Sequence, residues 1–210
     1  MSEPYVVGDL HCQAAVFCYK GDNTVEPLKS DLDKIAGDPP MIRGEIHEEK
    51  KRFLKTLREW NEHSDPRGTF LCIYAHSGEP GIAPIGGKQL ELHPDPESLI
   101  ITWEELAHAM PKGVAYLWLL GCRTQEVLKI WQELGGPVFS RLLATDAKDK
   151  WRPFVKWFAA EISLDPVFYN DEMIPLLIRK APDLAKHTQY FGPDFKPVVP
   201  PSSGQNAGAN

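Results

Sequence analysis

The stretch T-F-L-C-I-Y-A (residues 69–75) leads directly into His76, and the stretch V-A-Y-L-W-L-L (residues 114–120) leads through Gly121 into Cys122. Both runs are apolar and rich in β-branched and aromatic side chains, which is typical of strands buried on both faces of a parallel sheet. His76 and Cys122 would then follow the carboxyl ends of two strands. Open α/β sheets bind their ligands at that edge. The sequence therefore predicts a histidine and a cysteine at the functional edge of an α/β fold.

The segment between these two runs has the signals of a crossover connection. Thr102 and Glu105 form a T-x-x-E capping box ahead of the stretch W-E-E-L-A-H-A-M, which predicts a helix that stops before Pro111. Short strands are expected at residues 88–93 and 98–102. A strand, an excursion, a helix and a second strand make a right-handed crossover, which places parallel strands in one sheet.

The rest of the chain alternates the same two kinds of element. Strands are predicted at 13–19, 41–46 and 137–145, and helices at 48–60, 124–134, 153–162 and 172–181. Residues 21–40, rich in Asp, Gly and Pro, are predicted to be a loop with a short helix. This order indicates an α/β domain with a mainly parallel sheet and helices on both faces.

Length and composition favour a single domain. The chain has 210 residues, of which 42% are hydrophobic, enough for one substantial core. From residue 193 onward the sequence is rich in Pro, Gly and small polar residues and has no amphipathic pattern. We therefore expect a domain over residues 1–192 and a disordered tail over 193–210.

Charge and hydropathy bear on the class of partner. The net charge is −6, and the basic residues form no block that would attract nucleic acid. No apolar run approaches the roughly 18 residues that a membrane span needs. The start M-S-E-P-Y lacks the basic and apolar regions of a signal peptide. The expectation is a cytoplasmic protein that contacts neither nucleic acid nor membrane.

Metal and cofactor signals are weak. The four cysteines, Cys12, Cys18, Cys72 and Cys122, have no C-x-x-C spacing, and the histidines have no metal-ligand spacing. The stretch G-D-L-H around Asp9 and His11 matches one metallophosphatase motif, but the companion motifs do not follow downstream. We expect a turn there, and neither a metal nor a cofactor in the protein.

Several motifs together resemble one family. His76 opens the turn H-S-G-E-P-G, the helix T-W-E-E-L-A follows, and the next strand ends in L-G-C-R-T. This arrangement is similar to that of the caspase-like cysteine peptidases, most closely to their bacterial CHAT-type branch, in which the histidine lies about 50 residues before the cysteine. Gly121, Cys122 and Arg123 fit the motif around the family's nucleophile. The family usually has glycine directly after the histidine, whereas this chain has Ser77 and then Gly78.

The resemblance implies a three-layer caspase-like sandwich and a cysteine endopeptidase. Cys122 would be the nucleophile, His76 would transfer protons, and the backbone N–H groups of Gly78 or Ser77 and of Cys122 would face the oxyanion. Arg123 could meet an acidic side chain of the substrate. A following helix N-terminus would favour the thiolate of Cys122.

The resemblance also implies the partners. They would be a protein or peptide substrate and a sensor or regulatory protein, as in bacterial defence or signalling systems. The alternative is a caspase-like fold that acts without catalysis, as a protein-binding or assembly module. In that case Cys122 is a small core residue and His76 a loop residue.

Overall fold

The computed structural model describes most of the chain. The described residues are 3–9, 12, 14–23, 25–37, 42–63, 70–110, 114–124, 126–137, 139–146, 150–161 and 173–198. Their strands are β1 (Tyr5–Val7), β2 (Ala14–Tyr19), β3 (Ile42–His47), β4 (Phe70–Gly78), β5 (Gly81–Ala83), β6 (Ile101–Thr102), β7 (Val114–Gly121), β8 (Phe139–Asp146) and β9 (Thr188–Phe191). Their helices are α1 (Val25–Ala36), α2 (Lys50–His63), α3 (Gly87–Glu91), α4 (Trp103–Ala109), α5 (Glu126–Leu134), α6 (Trp151–Glu161), α7 (Met173–Lys180) and α8 (Pro182–Ala185).

The strands form one mainly parallel sheet, as predicted. Its order is β1-β3-β2-β4-β7-β8-β9, and β5 and β6 extend from the end of β4. The central strands β3, β2, β4, β7 and β8 are parallel, and the edge strands β1 and β9 pair antiparallel. Tyr74 of β4 lies opposite Leu120 of β7, so the two strands that lead to His76 and Cys122 are direct neighbours. That neighbour relationship was predicted from the sequence and is confirmed.

Helices cover both faces of the sheet, which confirms the second part of the fold prediction. On the first face α1, α6, α7 and α8 pack on even-numbered side chains of β2, β4 and β7, such as Cys18, Cys72 and Trp118. On the second face α2, α4 and α5 pack on odd-numbered side chains such as Phe17 and Leu117. Because successive strand side chains alternate between faces, strands covered on both sides must be apolar throughout. Burial of each large side chain contributes about 1.5–3 kcal/mol.

The predicted start of α4 is confirmed in detail. The Glu105 N–H donates to Thr102 Oγ1 at 3.1 Å, and the Thr102 N–H donates to Glu105 Oε2 at 2.9 Å. Such a capping box satisfies N–H groups that the first turn of a helix leaves unpaired, and an N-cap is worth about 1 kcal/mol. It fixes the point at which the chain turns back toward β7.

One strand prediction was wrong, one helix was predicted too short, and strand β9 was missed. The strand expected at 88–93 is replaced by α3, whose residues Lys, Gln, Leu and Glu favour helix and which buries no side chain. The short helix expected within the loop at 21–40 is present but longer than predicted, since α1 has twelve residues and buries Leu28, Leu32 and Ile35. The edge strand β9 was not predicted. A four-residue strand that follows a four-residue helix gives too little pattern to identify.

The two ends of the chain are described in part. Val7 is followed by Gly8 at φ 79°, which supports the predicted turn, whereas His11 lies outside the described residues. At the other end the Val198 N–H donates to the Tyr190 carbonyl at 2.8 Å. The domain boundary at residue 192 stays a prediction, and residues 199–210 of the predicted tail lie outside the described part.

The strand order creates a switch point between β2 and β4. The chain leaves β2 through α1 toward β3 on one side, and it leaves β4 toward β7 on the other side. In open α/β sheets ligands bind beside the carboxyl ends of the strands at the point where two such connections diverge. His76 lies at this point.

Candidate functional site

His76 lies within β4, in the part of that strand that extends beyond the main sheet. Residues 76–78 pair antiparallel with β5, with His76 opposite Ala83 and Ser77 opposite Ile82. The turn expected directly after His76 therefore comes later, at Glu79 and Pro80. This pairing holds the backbone of His76 on a strand rather than on a loop.

The imidazole of His76 contacts two charged side chains that follow β2. His76 Nε2 lies 2.8 Å from Lys20 Nζ and 2.7 Å from Asp22 Oδ2. Lys20 Nζ is itself 3.6 Å from Asp22 Oδ2. The strand register explains the contact between Lys20 and His76. Tyr19 lies opposite Ala75, so the residues that follow them, Lys20 and His76, are neighbours. Three titratable groups thus share one small volume at the switch point.

The tautomer of His76 decides which of the two contacts is a hydrogen bond. A ring nitrogen has one in-plane position, so Nε2 either donates its hydrogen to Asp22 or accepts one from Lys20. The side chains of Lys20 and Asp22 are only 3% and 9% exposed. With both charged and His76 neutral, the cluster has no net charge, which limits the cost of burying it.

The electrostatics favour a neutral imidazole. Burial lowers the pKa of His76; the hydrogen bond to Asp22 opposes this, and the Lys20 ammonium adds to it. The pKa of Lys20 is also lowered, chiefly by burial, while Asp22 opposes that change. A histidine with a pKa below its usual value is unprotonated at neutral pH, so it can accept a proton.

Aromatic rings complete the surroundings of Lys20. Its Nζ lies 4.8 Å from the centroid of the Tyr74 ring, within cation–π range. The Tyr74 ring in turn stacks on Trp151 at a centroid distance of 4.6 Å. The ammonium is therefore held between an aromatic face and two polar partners, which fixes its position.

Cys122 follows the last residue of β7 and is half-buried. The Ser77 hydroxyl donates a hydrogen bond to the carbonyl of Cys122. A methyl group placed on Gly121 would lie 2.5 Å from Ser77 Oγ and 2.7 Å from the Ala75 carbonyl oxygen, so only glycine fits there. The strand bearing His76 and the turn bearing Cys122 are thus joined at the carboxyl edge of the sheet.

The residue after Cys122 has an unusual backbone. Arg123 has φ 54°, in the left-handed region that costs a residue with a side chain about 1–2 kcal/mol. Its exposed side chain pairs with Glu126, at 3.1 Å, in the first turn of α5. The helix predicted after Cys122 is therefore confirmed, and a sharp turn connects it to the cysteine. Such strain occurs disproportionately at functional sites.

The predicted site residues divide into two groups. His76, Ser77 and Cys122 are brought together where β4 and β7 end. Gly78 lies further along the hairpin, where its carbonyl accepts a hydrogen bond from Trp103 Nε1 at 3.2 Å, and Arg123 projects to the surface. The catalytic and oxyanion roles assigned to these residues stay predictions.

Lys20 and Asp22 were missed by the sequence analysis. A usable signal was present, because they follow the buried strand A-A-V-F-C-Y in the same way that His76 and Cys122 follow theirs. Two further cysteines lie within the core strands β2 and β4. Cys18 and Cys72 are fully buried, and burial raises the pKa of both thiols.

Metal ligands do not cluster in the part of the chain that the structure describes. No group of three His, Cys, Asp or Glu side chains there is arranged to hold a metal ion. Among the same residues, no helix has the length and apolarity needed to cross a membrane. The chain matches no protein-family model, and no curated protein is significantly similar to it.

Proposed function

We propose that this protein is a cysteine hydrolase that cleaves peptide bonds. Cys122 is the nucleophile, His76 exchanges protons with the reacting groups, and Asp22 orients the His76 ring. The observation that carries this proposal is the position of His76, at the end of the strand beside that of Cys122, with its Nε2 bound by a buried carboxylate. A nucleophile, a base and a group that orients the base are the parts that covalent hydrolysis requires.

The contact with Asp22 gives the two nitrogens of the His76 ring different roles. When Nε2 donates its hydrogen to Asp22, Nδ1 carries the lone pair and can accept a proton. Gly86 lies against the ring, because a methyl group there would be 3.5 Å from Cε1 and 3.7 Å from Nδ1 of His76.

The reaction proceeds through an acyl-enzyme. Once Nδ1 of His76 holds a proton, the Cys122 thiolate attacks the carbonyl carbon of the scissile bond, and the C–N bond breaks as the nitrogen takes that proton. Water then attacks the thioester carbon, His76 accepts its proton, and the thiolate leaves. Backbone N–H groups near Cys122 stabilise the oxyanion in both halves.

The caspase-like resemblance supports the same class of substrate. Its order of strand, histidine, hairpin, helix, strand and cysteine agrees with the order of elements from β4 to β7. A protein substrate and an activating sensor protein of a bacterial defence system belong to this proposal.

Cleavage of a peptide library tests the proposal. The wild-type chain, alone and co-expressed with the products of neighbouring genes, is incubated with proteome-derived peptides, and new termini are identified by mass spectrometry. Cys122→Ala and His76→Ala should each abolish the new termini, because a nucleophile and its base act as one unit. Cys12→Ala, at the other half-buried thiol, is the matched control and should cleave normally.

Two outcomes would contradict the proposal. New termini that persist with Cys122→Ala would remove Cys122 as the nucleophile. No cleavage by the wild type in either setting would favour the non-catalytic binding module instead.

A further inference from the structure

Lys20 is a buried charge that the hydrolytic scheme above leaves without a role. Its side chain is only 3% exposed, yet its Nζ lies 2.8 Å from His76 Nε2 rather than in solvent. Burial of an ammonium is costly even with a carboxylate beside it, and core lysines are correspondingly rare. A lysine retained in such a place needs an explanation.

The sheet places Lys20 beside His76 and next to the strand that leads to Cys122. Side chains of even number on β2, β4 and β7, such as Cys18, Tyr74 and Leu120, face the first helical layer. Lys20 and His76 continue this alternation, because the Lys20 side chain reaches the ring of His76. The strand β4 that carries His76 pairs directly with β7, and Cys122 follows the last residue of β7. The Lys20 ammonium is therefore held against the strand that neighbours the one leading to Cys122.

We propose that the Lys20 ammonium, and not a protonated His76, is the positive charge that stabilises the Cys122 thiolate in the resting protein. This inference rests on the proposed function only in naming Cys122 as the nucleophile. In the usual arrangement of a cysteine–histidine pair, the imidazolium supplies that charge. Here the histidine already has a cation in contact with its Nε2, and a second positive charge there would be repelled.

The charges around Lys20 agree with this assignment. The groups that face it are Asp22, His76, Tyr74, Cys18 and Cys122. Among them the Asp22 carboxylate and the thiolates of Cys18 and Cys122 favour the charged form of Lys20. Electrostatic coupling is mutual, so the ammonium favours the Cys122 thiolate by the same free energy. Cys18 is fully buried and its thiol pKa is raised, which leaves Cys122 as the accessible thiolate.

The proton balance of the reaction is maintained. In the resting protein Lys20 donates to Nε2 of His76, and Nδ1 carries the hydrogen. In acylation the leaving nitrogen takes the Nδ1 hydrogen and Lys20 transfers its proton to Nε2, which then donates to Asp22. In deacylation the attacking water gives a proton to His76, and the ring returns one to Lys20. The thiolate is regenerated, and neither step needs a further reactant.

The pH dependence of alkylation tests this inference. The purified full-length protein is treated with limiting iodoacetamide between about pH 5 and pH 9, and the labelled cysteines are quantified by mass spectrometry. Lys20→Met and Lys20→Gln remove the charge, Lys20→Arg keeps it, and His76→Asn removes the imidazole. Cys12 in the same samples is the internal reference, and unlabelled Cys18 and Cys72 report that the core remains folded.

We expect the midpoint of Cys122 alkylation in the wild type to lie below the ordinary thiol value of about 8.5. Lys20→Met and Lys20→Gln should raise it by at least about one pH unit and slow labelling at neutral pH several-fold. Lys20→Arg and His76→Asn should leave it near the wild-type value. A midpoint that rises in His76→Asn but not in Lys20→Met would overturn the inference.

The failure of this inference and that of the proposed function are distinguishable. If the protein cleaves peptides but the pH midpoint of Cys122 alkylation is unchanged in the Lys20 variants, only the role of Lys20 is contradicted. If the protein cleaves no peptide but the pH midpoint of Cys122 alkylation depends on Lys20, only the proposed hydrolase function is contradicted.

Discussion

Substitution of Gly121 by alanine tests the contact on which the site depends. The added methyl group would lie 2.5 Å from Ser77 Oγ and 2.7 Å from the Ala75 carbonyl oxygen. Carbon atoms in proteins rarely approach oxygen more closely than about 3 Å, so β4 and β7 must separate at their carboxyl ends. The serine can rotate, but the carbonyl belongs to the backbone of β4 and cannot move without the strand.

The expected cost follows from these two contacts. Overpacking of a close-packed interior by one methyl group costs about 1–3 kcal/mol, and a backbone obstacle places this case in the upper half of that range. For a chain of this size, about 2 kcal/mol corresponds to a fall in Tm of about 4–8 °C. The separation also removes the hydrogen bond from Ser77 to the Cys122 carbonyl. Cys122 would then be misplaced, so the rate of peptide cleavage should fall as well as the stability.

Thermal unfolding and peptide cleavage of matched variants measure both effects. Gly87→Ala is the control, because a methyl group on Gly87, at the start of α3, meets nothing within 4 Å. It should leave cleavage unchanged and stabilise the protein by at most about 1 kcal/mol. Ser77→Ala combined with Gly121→Ala removes one of the two obstacles. The double variant should therefore lose less stability than the sum of the two single variants.

One result would refute this reasoning. If Gly121→Ala unfolds at the temperature of Gly87→Ala and cleaves peptides normally, the ends of β4 and β7 are not in the contact described. The hydrogen bond from Ser77 to the Cys122 carbonyl would then be wrong as well.

Two further predictions concern His76 and Arg123. Because the folded protein holds the His76 pKa below 6.5, the unfolded chain binds this proton more readily, and wild-type stability should fall as the pH falls below 6.5. His76→Asn should lose less stability than the wild type in urea unfolding between about pH 7.5 and about pH 5.5; equal losses would contradict a buried neutral imidazole. Arg123→Gly should be more stable than Arg123→Ala by about 0.5–1 kcal/mol, because only glycine adopts a positive φ without strain. Both variants lose the pair with Glu126, so equal stabilities would contradict the left-handed turn.

The sequence was sufficient for the main frame of the fold. The core positions of β2, β4 and β7 are almost completely buried, so each strand appears as an uninterrupted apolar run. The capping box of α4 is equally local, because both of its partners lie within four residues. The prediction failed for a segment whose side chains are not buried, the strand expected at 88–93. Helix α3 buries no side chain, so its sequence carries no periodic signal.

The length of helix α1 was underestimated for a different reason. Its Pro27 and its aspartates suggested a loop around a short helix, although proline is tolerated in the first turn of a helix. The spacing of Leu28, Leu32 and Ile35 was the stronger signal, since it places three apolar side chains on one face. A periodic apolar face predicts structure better than composition does, because it reflects packing in the folded protein.

The site was predictable only as far as single strands reveal it. His76 and Cys122 each follow an apolar run, so local sequence identifies both. The partners of His76 depend on the order of strands instead. The chain passes from β2 outward to β3 and then returns across β2 to begin β4, so two strands that are not consecutive become neighbours. Sequence alone does not reveal that return, and a lysine after a strand is ordinarily exposed. Once the order is known, the alternation of side chains brings Lys20 and His76 to one face. The Lys20 ammonium then lies within hydrogen-bonding distance of the His76 ring.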